Sequence, residues 1–433
     1  MTNDTAIESK KNQRKLYFKM GFILLLILLL LIPNAFISSL IHERSNLQNQ
    51  TRYEIAKTWG QQQVITGPLL AIPYTTAYKV DGKTSYHEHI MYVSPDEVTI
   101  NADVTTEERA KGIYSTILYT SGSDIAADFV LPQVGSFGSR LHEVRWQEAM
   151  VLIPISEPTN IISIVQLTTG GKEYKMKSIH NKQLGSVLSA VVDVADKKTV
   201  TISTAIESKG SESVDFVPSG ASQVVMMSCD WPSPGFEGNM LPVERTITDQ
   251  GFSARWTANE YSRPMPATWK DDEYQLRGQE SFGVRLVQTV DHYQKNLRSV
   301  KYSLLIIVLS FLVFFFFEIL KGRRIHPLQY ILIGLALSLF YLLLLSMSEH
   351  IGFDYAYIIA AIGTAALVVW YSGSMLGAGR SVAVLGGTLA GLYSYIFVLL
   401  QMEDYALLAG SVGLFVILGI VMAISKRLNW YDQ

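Results

Sequence analysis

The 433-residue chain is 48% hydrophobic and only 17% charged, whereas a soluble domain usually carries about a quarter charged residues. Its formal net charge of −2 gives no electrostatic case for nucleic-acid binding. Its single cysteine, Cys229, excludes an intrachain disulfide and Cys-x-x-Cys metal or redox motifs.

The first element is an apolar run from Met20 to Leu40, which follows a basic N-terminal segment. At about 1.5 Å per residue the run can cross a hydrocarbon core of about 30 Å. A cleaved signal peptide is the alternative, but no A-x-A-like cleavage site follows the run. The sequence therefore predicts an uncleaved anchor, with residues 1–41 forming a cytoplasmic basic N-terminus and a transmembrane helix.

Residues 42–300 have the composition of an ordinary soluble protein and a mainly β pattern. Apolar and polar residues alternate over 98–104 and 199–203, which is typical of half-buried strands. Short apolar runs at 161–167 and 222–229 are typical of buried strands, and Gly- and Pro-containing turn signals separate these segments. The pattern predicts a large β-rich, sandwich-like periplasmic domain inserted between the first and second membrane helices.

An amphipathic stripe closes this domain. Leu286, Val290, Tyr293 and Leu297 recur at spacings of four and three residues, which predicts a helix that runs into the next membrane span. Such a helix is our candidate for coupling the two parts of the chain, and a simple tether is the alternative. The stripe is expected to pack on the outward extension of the first span, at positions such as Leu47, Tyr53 and Ile55.

Five further apolar runs follow, and they predict a five-helix transmembrane bundle over residues 301–433. The predicted fold is thus a membrane protein of α+β class with six transmembrane helices, arranged as one plus five. The five predicted spans are Tyr302–Leu320, Leu328–Met347, Phe353–Tyr371, Ser381–Leu400 and Tyr405–Ser425.

The distribution of charge around these spans predicts their orientation. Cytoplasmic loops are enriched in Lys and Arg. Placing the N-terminus in the cytoplasm puts every basic cluster inside and both acidic loops outside, with the C-terminus cytoplasmic as well. The basic clusters lie at 10–19, 321–324, 380 and 426–427, and the acidic loops at 348–352 and 402–404.

Four residues are candidate intramembrane or interfacial charges: Glu318, Glu349, His350 and Asp354. Charges within a membrane are functional hypotheses by default. All four lie close to an interface, however, where pairing and snorkelling lower their cost, and Glu318 is within reach of the basic residues at 321–324. A structural role is therefore the favoured interpretation, and the lack of a charge at the midplane argues against ion-coupled transport.

Two weaker patterns complete the search for sites. His87 and His89 would share one face of a strand, but two histidines lack the third and fourth ligands of a zinc site, which His142 or His180 would have to supply. Ala383, Gly387 and Gly391 form a small-xxx-small pattern, for which close helix packing is favoured over a pore lining. The sequence contains no G-x-S-x-G, H-E-x-x-H, Walker A or G-x-G-x-x-G motif. We therefore predict no catalytic site, no metal and no cofactor.

Several ordered strings of residues resemble the CreD family of inner-membrane proteins, and the resemblance spans nearly the whole chain. It is strongest at 283–294 (GVRLVQTVDHYQ), 298–302, 314–318, 325–330 (IHPLQY) and 346–353 (SMSEHIGF), with similar segments at 66–74 and 251–256. The resemblance implies a bacterial inner-membrane protein connected with envelope integrity and envelope stress. It supplies no catalytic residues.

The function expected from these observations is non-enzymatic support of the cell envelope. A periplasmic domain would sense or bind an envelope component, and the bilayer and an envelope lipid or envelope protein would be its partners. One alternative is a transporter or flippase of a lipid or apolar molecule, which a lateral groove in the bundle would favour. Another is an envelope enzyme with an unfamiliar site, which a deep polar cleft with convergent Asp, Glu or His would favour.

Overall fold

The computed structural model describes residues 2–81, 83–276, 280–288, 292–321, 325–376, 379–402 and 405–426. The chain divides into two compact units. A mainly helical unit comprises residues 1–49 and 290–433, and a β-rich unit comprises residues 50–289.

The helical unit contains six helices long and apolar enough to cross a membrane among the described residues. Each predicted span coincides with one of them, extending at most one residue beyond it, and α2 leads directly into the second span. This agreement follows from the strength of the hydropathy signal, because twenty apolar residues have few alternatives to a membrane helix. The helices are α1 (Thr2–Trp59), α2 (His292–Lys301), α3 (Ser303–Lys321), α4 (Pro327–Ile351), α5 (Phe353–Leu376), α6 (Arg380–Gln401) and α7 (Ala406–Ser425).

The β-rich unit contains nineteen described strands in three sheets. The strands are β1 (Gln63–Thr66), β2 (Leu69–Val80), β3 (Lys83–Val93), β4 (Glu97–Lys111), β5 (Tyr114–Val130), β6 (Leu141–Val144), β7 (Ala149–Pro154), β8 (Gln166–Thr169), β9 (Lys172–Lys175), β10 (Lys177–Asn181), β11 (Gly185–Val192), β12 (Thr199–Ser211), β13 (Ser213–Val217), β14 (Ser222–Cys229), β15 (Pro234–Gly238), β16 (Glu244–Thr248), β17 (Gly251–Asn259), β18 (Thr268–Lys270) and β19 (Phe282–Leu286).

The largest sheet has the order β16-β17-β14-β4-β5-β12-β8-β9, and its pairs are antiparallel except β4 with β14. The second has the order β10-β11-β7-β2-β3-β18, with β6 added beside β2. The smallest has the order β1-β13-β19-β15, in which β1 and β13 are parallel. Alternate residues of all three sheets meet in one hydrophobic core that includes Ile100, Phe129, Ile153, Phe216 and Trp256. The predicted β-rich domain is confirmed.

The individual strand predictions differ in outcome. Strand β14 covers the whole predicted run at 222–229, and the alternation at 98–104 appears in β4 as alternating exposed and buried residues. The run at 161–167 was predicted to be a buried strand, but β8 begins only at Gln166. Ile162 and Ile164 are 54% and 68% exposed, so composition alone misidentified this segment as core.

Candidate functional site

The first polar cluster joins Lys19, at the start of the membrane-spanning part of α1, to α3 and α4. Lys19 forms an ion pair with Glu318, and its Nζ also donates to the Ile325 carbonyl at 3.2 Å. The Tyr330 hydroxyl donates to the other carboxylate oxygen of Glu318 at 3.4 Å. The Glu318 side chain is only 12% exposed. Its described partners are thus Lys19 and Tyr330, whereas the side chains at 321–324 lie outside the described residues.

The second cluster fixes α2 to the ends of α4, α5 and α6. The Tyr293 hydroxyl donates to Glu349 Oε1 at 2.9 Å. Lys295 Nζ donates to Gln401 Oε1 at 3.3 Å and lies 3.8 Å from Asp354 Oδ1. Gln401 Nε2 in turn donates to Asp354 Oδ1 at 2.6 Å. The structure therefore brings three of the residues singled out from sequence, Tyr293, Glu349 and Asp354, into one network.

Two further contacts complete this network, which we call the α2 clamp (Tyr293, Lys295, Asn296, Arg298 and their partners). An Arg298 guanidinium nitrogen donates to the Met402 carbonyl at 2.9 Å. Asn296 Nδ2 donates to Ser348 Oγ and to the His292 carbonyl, both at 2.8 Å. Asn296 is 1% exposed, so this amide is buried at the centre of the clamp. His350, the fourth candidate charge, is exposed at the end of α4.

The predicted coupling helix is shorter than expected. Leu286 was predicted to lie on the helix but belongs to β19, where Phe282, Val284 and Leu286 alternate with exposed Arg285. Alternation with a period of two also places apolar residues four positions apart, as does the four-three spacing that suggested a helix. Val290 lies outside the described residues. The helix begins at His292, and Leu297 is half-buried on it.

The packing expected between this stripe and the outward extension of α1, through Leu47, Tyr53 or Ile55, stays a prediction. Leu47 is 40% and Tyr53 is 55% exposed, which does not favour it, whereas Ile55 is half-buried. The contacts that the structure shows for α2 are polar ones with α4, α5 and α6. The sequence missed this because the stripe was read only for apolar residues, whereas Lys295, Asn296 and Arg298 make the contacts.

The histidines considered as metal ligands have other contacts. His89 Nδ1 lies 2.6 Å from Asp271 Oδ2, and its Nε2 lies 3.0 Å from Thr76 Oγ1. His87 packs edge-on against Tyr78, and His142 packs against Tyr86. His180 lies on β10. Within the described part of the chain, no group of three His, Cys, Asp or Glu side chains is placed to hold a metal ion.

A buried carboxylate that the sequence analysis missed lies on β13. Asp215 is 4% exposed, and its Oδ2 accepts hydrogen bonds from Gln62 Nε2 and Ser213 Oγ, both at 2.7 Å. Burial raises the pKa of this carboxyl, while the two hydrogen bonds oppose the shift. Every residue of β13 is buried, so alternation could not mark Asp215 as a core residue.

We expect Asp215→Asn to change how the stability of the β-rich unit depends on pH. The raised pKa means that the folded state binds this proton more tightly than the unfolded state, so wild-type stability falls as pH rises from about 4 through the raised value. The amide does not titrate. The melting temperature of the variant, relative to wild type, should therefore rise over this range, whereas exposed Asp249→Asn should show no such trend. A difference independent of pH would contradict the assignment.

The outward face of the largest sheet carries a polar groove of about 510 Å³, which we call the sheet groove. Its side chains come from β4, β5, β8 and β12, with Ser163 and Ile164 at one border. They supply hydroxyls, amides and two carboxylates, all suited to hydrogen bonding with a polar ligand. The polar lining residues are Thr99, Asn101, Asp124, Ser163, Gln166, Thr168, Ser203, Thr204 and Glu207.

An apolar groove of about 460 Å³, which we call the membrane groove, opens between α3, α6 and α7. Gly387 and Gly391 line it, and a Cβ added at either would meet no atom within 4 Å. Ala383 is exposed. The close packing predicted for this stripe of small residues is thus not observed among the described residues. Gly387 and Gly391 leave open space on the surface of the bundle.

Known proteins are similar to this chain over almost its whole length. The chain is 29% identical over 424 residues to inner membrane protein CreD of Escherichia coli (strain K12), covering 96% of this chain and 94% of that protein. A crystal structure of a candidate protease from Parabacteroides distasonis aligns over 69% of this chain and 58% of that one, at 10% identity and a TM-score of 0.24. This score is too low to indicate a shared fold. The family model described as inner membrane protein CreD matches residues 15–431. The chain belongs to the CreD family of multi-pass inner membrane proteins.

Proposed function

We propose that both termini of this inner membrane protein are cytoplasmic and that residues 42–300 are periplasmic. The proposal rests on the positive-inside rule. Arg380 is the first residue of α6 and Lys426 follows α7, both exposed, whereas Glu349 and Asp354 lie at the junction of α4 and α5. One orientation accounts for all of these charges.

Reporter fusions test the orientation. Fusions after residues 150, 349 and 403 are expected to be active as periplasmic reporters, because an odd number of spans precedes each. Fusions after residues 323, 378 and 433 are expected to be active as cytoplasmic reporters. A cytoplasmic signal at 349 would contradict the six-span topology.

We further propose that the protein supports envelope integrity without catalysis, by binding or sensing an envelope component through its periplasmic unit. The α2 clamp is the observation that carries this proposal. Residues 287–291 alone connect β19 of the β-rich unit to α2, and α2 is fixed to three membrane helices by directional polar contacts. Because only five residues of sequence separate β19 from α2, we propose that a change in the β-rich unit alters α2 and the helices it contacts.

The sheet groove is the binding surface that we assign to this role. Its hydroxyls and amides suit a polar envelope component, and its carboxylates Asp124 and Glu207 are exposed, without the burial that tunes a catalytic acid. A saccharide-bearing or other hydroxyl-rich component matches this donor and acceptor set.

Complementation tests the function. A strain lacking the protein should admit a hydrophobic dye more readily than the parent, and the full-length chain should restore the barrier. Ser203→Trp, which fills the sheet groove, is expected to fail in restoring it. Thr257→Trp, on an outward position of the same sheet outside the groove, is expected to succeed.

Each outcome of this test decides one part of the proposal. An unchanged barrier in the deleted strain would reject the role in envelope integrity. Equal complementation by both tryptophan variants would reject the sheet groove. Loss of function in Asp124→Asn and Glu207→Gln, with binding retained, would favour the enzyme alternative.

A transporter or flippase of apolar molecules is the second candidate, because a lateral groove does open in the bundle. The membrane groove is closed at one end, however, where the Tyr395 hydroxyl donates to the carbonyls of Ala409 at 2.9 Å and Gly410 at 3.3 Å. A groove closed in this way offers no continuous path across the bilayer. The geometry therefore supports the first proposal better.

A further inference from the structure

We propose that the membrane groove is a binding site for one acyl chain of a phospholipid with an anionic headgroup. The inference concerns the helical unit alone and does not depend on the envelope role proposed above. It rests on the length of the groove, on its lining and on the charge at its open end.

The length of the groove matches half of a bilayer. Along α7 its lining extends from Gly413 to Ile424, which is about 16 Å at about 1.5 Å per residue. The hydrocarbon core is about 30 Å thick, so one leaflet contributes about 15 Å. Beyond Gly413, the Tyr395 hydrogen bonds to α7 close the groove. The site therefore accommodates a chain from a single leaflet.

The lining is almost wholly apolar, and no described segment of the chain occupies the groove. Leu312 and Phe316 of α3 face Val416 and Ile420 of α7, and the Gly391 backbone forms part of the floor on α6. No residue of α7 is buried. Since all three helices are membrane spans, the molecules able to reach the groove are dissolved in the bilayer, and an acyl chain is the most abundant of these.

The open end of the groove carries positive charge. Ile424 is the last lining residue, and Lys426, two residues beyond it, is exposed and in none of the ion pairs found among the described residues. Lys426 lies about 200° around the helix from Ile424, so it does not line the groove, and its long side chain reaches the headgroup level beside it. At the same end of the bundle, Lys19 is already neutralised by Glu318. A lipid phosphate beside Lys426 would thus add an attractive interaction, which favours an anionic headgroup over a zwitterionic one.

The test uses full-length protein in bilayers of phosphatidylethanolamine doped with phosphatidylglycerol that carries a diazirine in one acyl chain. After irradiation, adducts should map to residues 309–316 and 416–424. Gly387→Leu with Gly391→Leu projects two side chains into the groove from positions where an added Cβ meets open space, and should lower adduct yield there roughly tenfold. The matched control is Gly363→Leu with Gly373→Leu on α5, where an added Cβ also meets open space and the yield should not change.

The same bilayers test two further points: whether an anionic headgroup is preferred over a zwitterionic one, and whether a lipid or a second copy of the chain occupies the groove. Diazirine-labelled phosphatidylcholine should give fewer adducts than phosphatidylglycerol, and Lys426→Gln should remove the difference. Equal adduct yield in the groove-filling and control variants would overturn the proposal. So would a dimer that forms in wild type and dissociates in the groove-filling variant without lipid adducts, since a second copy would then occupy the groove.

Discussion

Replacing Glu318 by Ala is expected to destabilise the helical unit by about 3 kcal/mol. The substitution leaves Lys19 without its counter-ion and Tyr330 without its acceptor. Breaking a buried pair by removing one partner costs about 3–5 kcal/mol, because an uncompensated charge remains. The lower end applies because Lys19 is 26% exposed and can reach the interface. Thermal unfolding of the purified protein in mild detergent measures the loss.

Two further variants test the cause of this loss. Glu43→Ala removes an exposed carboxylate of α1 and should leave thermal stability unchanged. Lys19→Met combined with Glu318→Met removes both charges, and should be more stable than Glu318→Ala because no unpaired charge is left. A double variant no more stable than the single one would show that the ion pair is not what stabilises these helices.

The activity of a variant at Glu318 distinguishes a structural role of this residue from a functional one. Charges within a membrane often mark functional sites. The double variant Lys19→Met with Glu318→Met is expected to keep α1, α3 and α4 packed without the ion pair. Restoration of the envelope barrier by this variant would assign the pair a structural role, whereas a stable but inactive protein would assign it a function.

The membrane spans could be predicted from sequence because each is specified by its own residues. Their bounds agree with the structure closely; Phe353, for example, begins both the predicted span and α5. Strand β14 was equally clear, since alternation within eight residues identifies it. These patterns arise within a few consecutive residues. Such a pattern predicts the structure correctly when burial of its apolar residues favours the same conformation.

The wrong or missing predictions have a different physical cause. The conformation or burial of these residues depends on how other elements of the fold are placed. Leu286 fitted a helical stripe, but pairing of β19 with β13 and β15 decided its conformation. Gly387 and Gly391 fitted a packing motif, but no described atom lies within 4 Å of a Cβ added at either, because α3 and α7 border the groove without closing on them. Asp215 gave no signal because its partners, Gln62 and Ser213, are unremarkable in sequence and converge only in the fold.

Replacing Asn296 by Asp is expected to detach α2 from the bundle and abolish complementation. Asn296 is 1% exposed and donates to both Ser348 Oγ and the His292 carbonyl. A carboxylate cannot donate, so it would face the lone pairs of that carbonyl, and only the Ser348 hydroxyl could turn to donate to it. Burial of a charge with so little compensation costs several kcal/mol. Burial of the wild-type amide costs less, because it is uncharged and its Nδ2 donates both hydrogen bonds, although its buried Oδ1 has no partner among the described residues.

Limited proteolysis of spheroplasts measures the detachment, as faster cleavage around residues 287–291, and dye uptake measures complementation. Gln294→Asp introduces the same charge on the exposed side of the same helix and is expected to keep wild-type cleavage and barrier function. If Asn296→Asp speeds cleavage but still complements, α2 anchors the periplasmic unit without relaying its state. If neither readout changes, the α2 clamp does not hold the helix, and the sensing proposal loses the contact on which it depends.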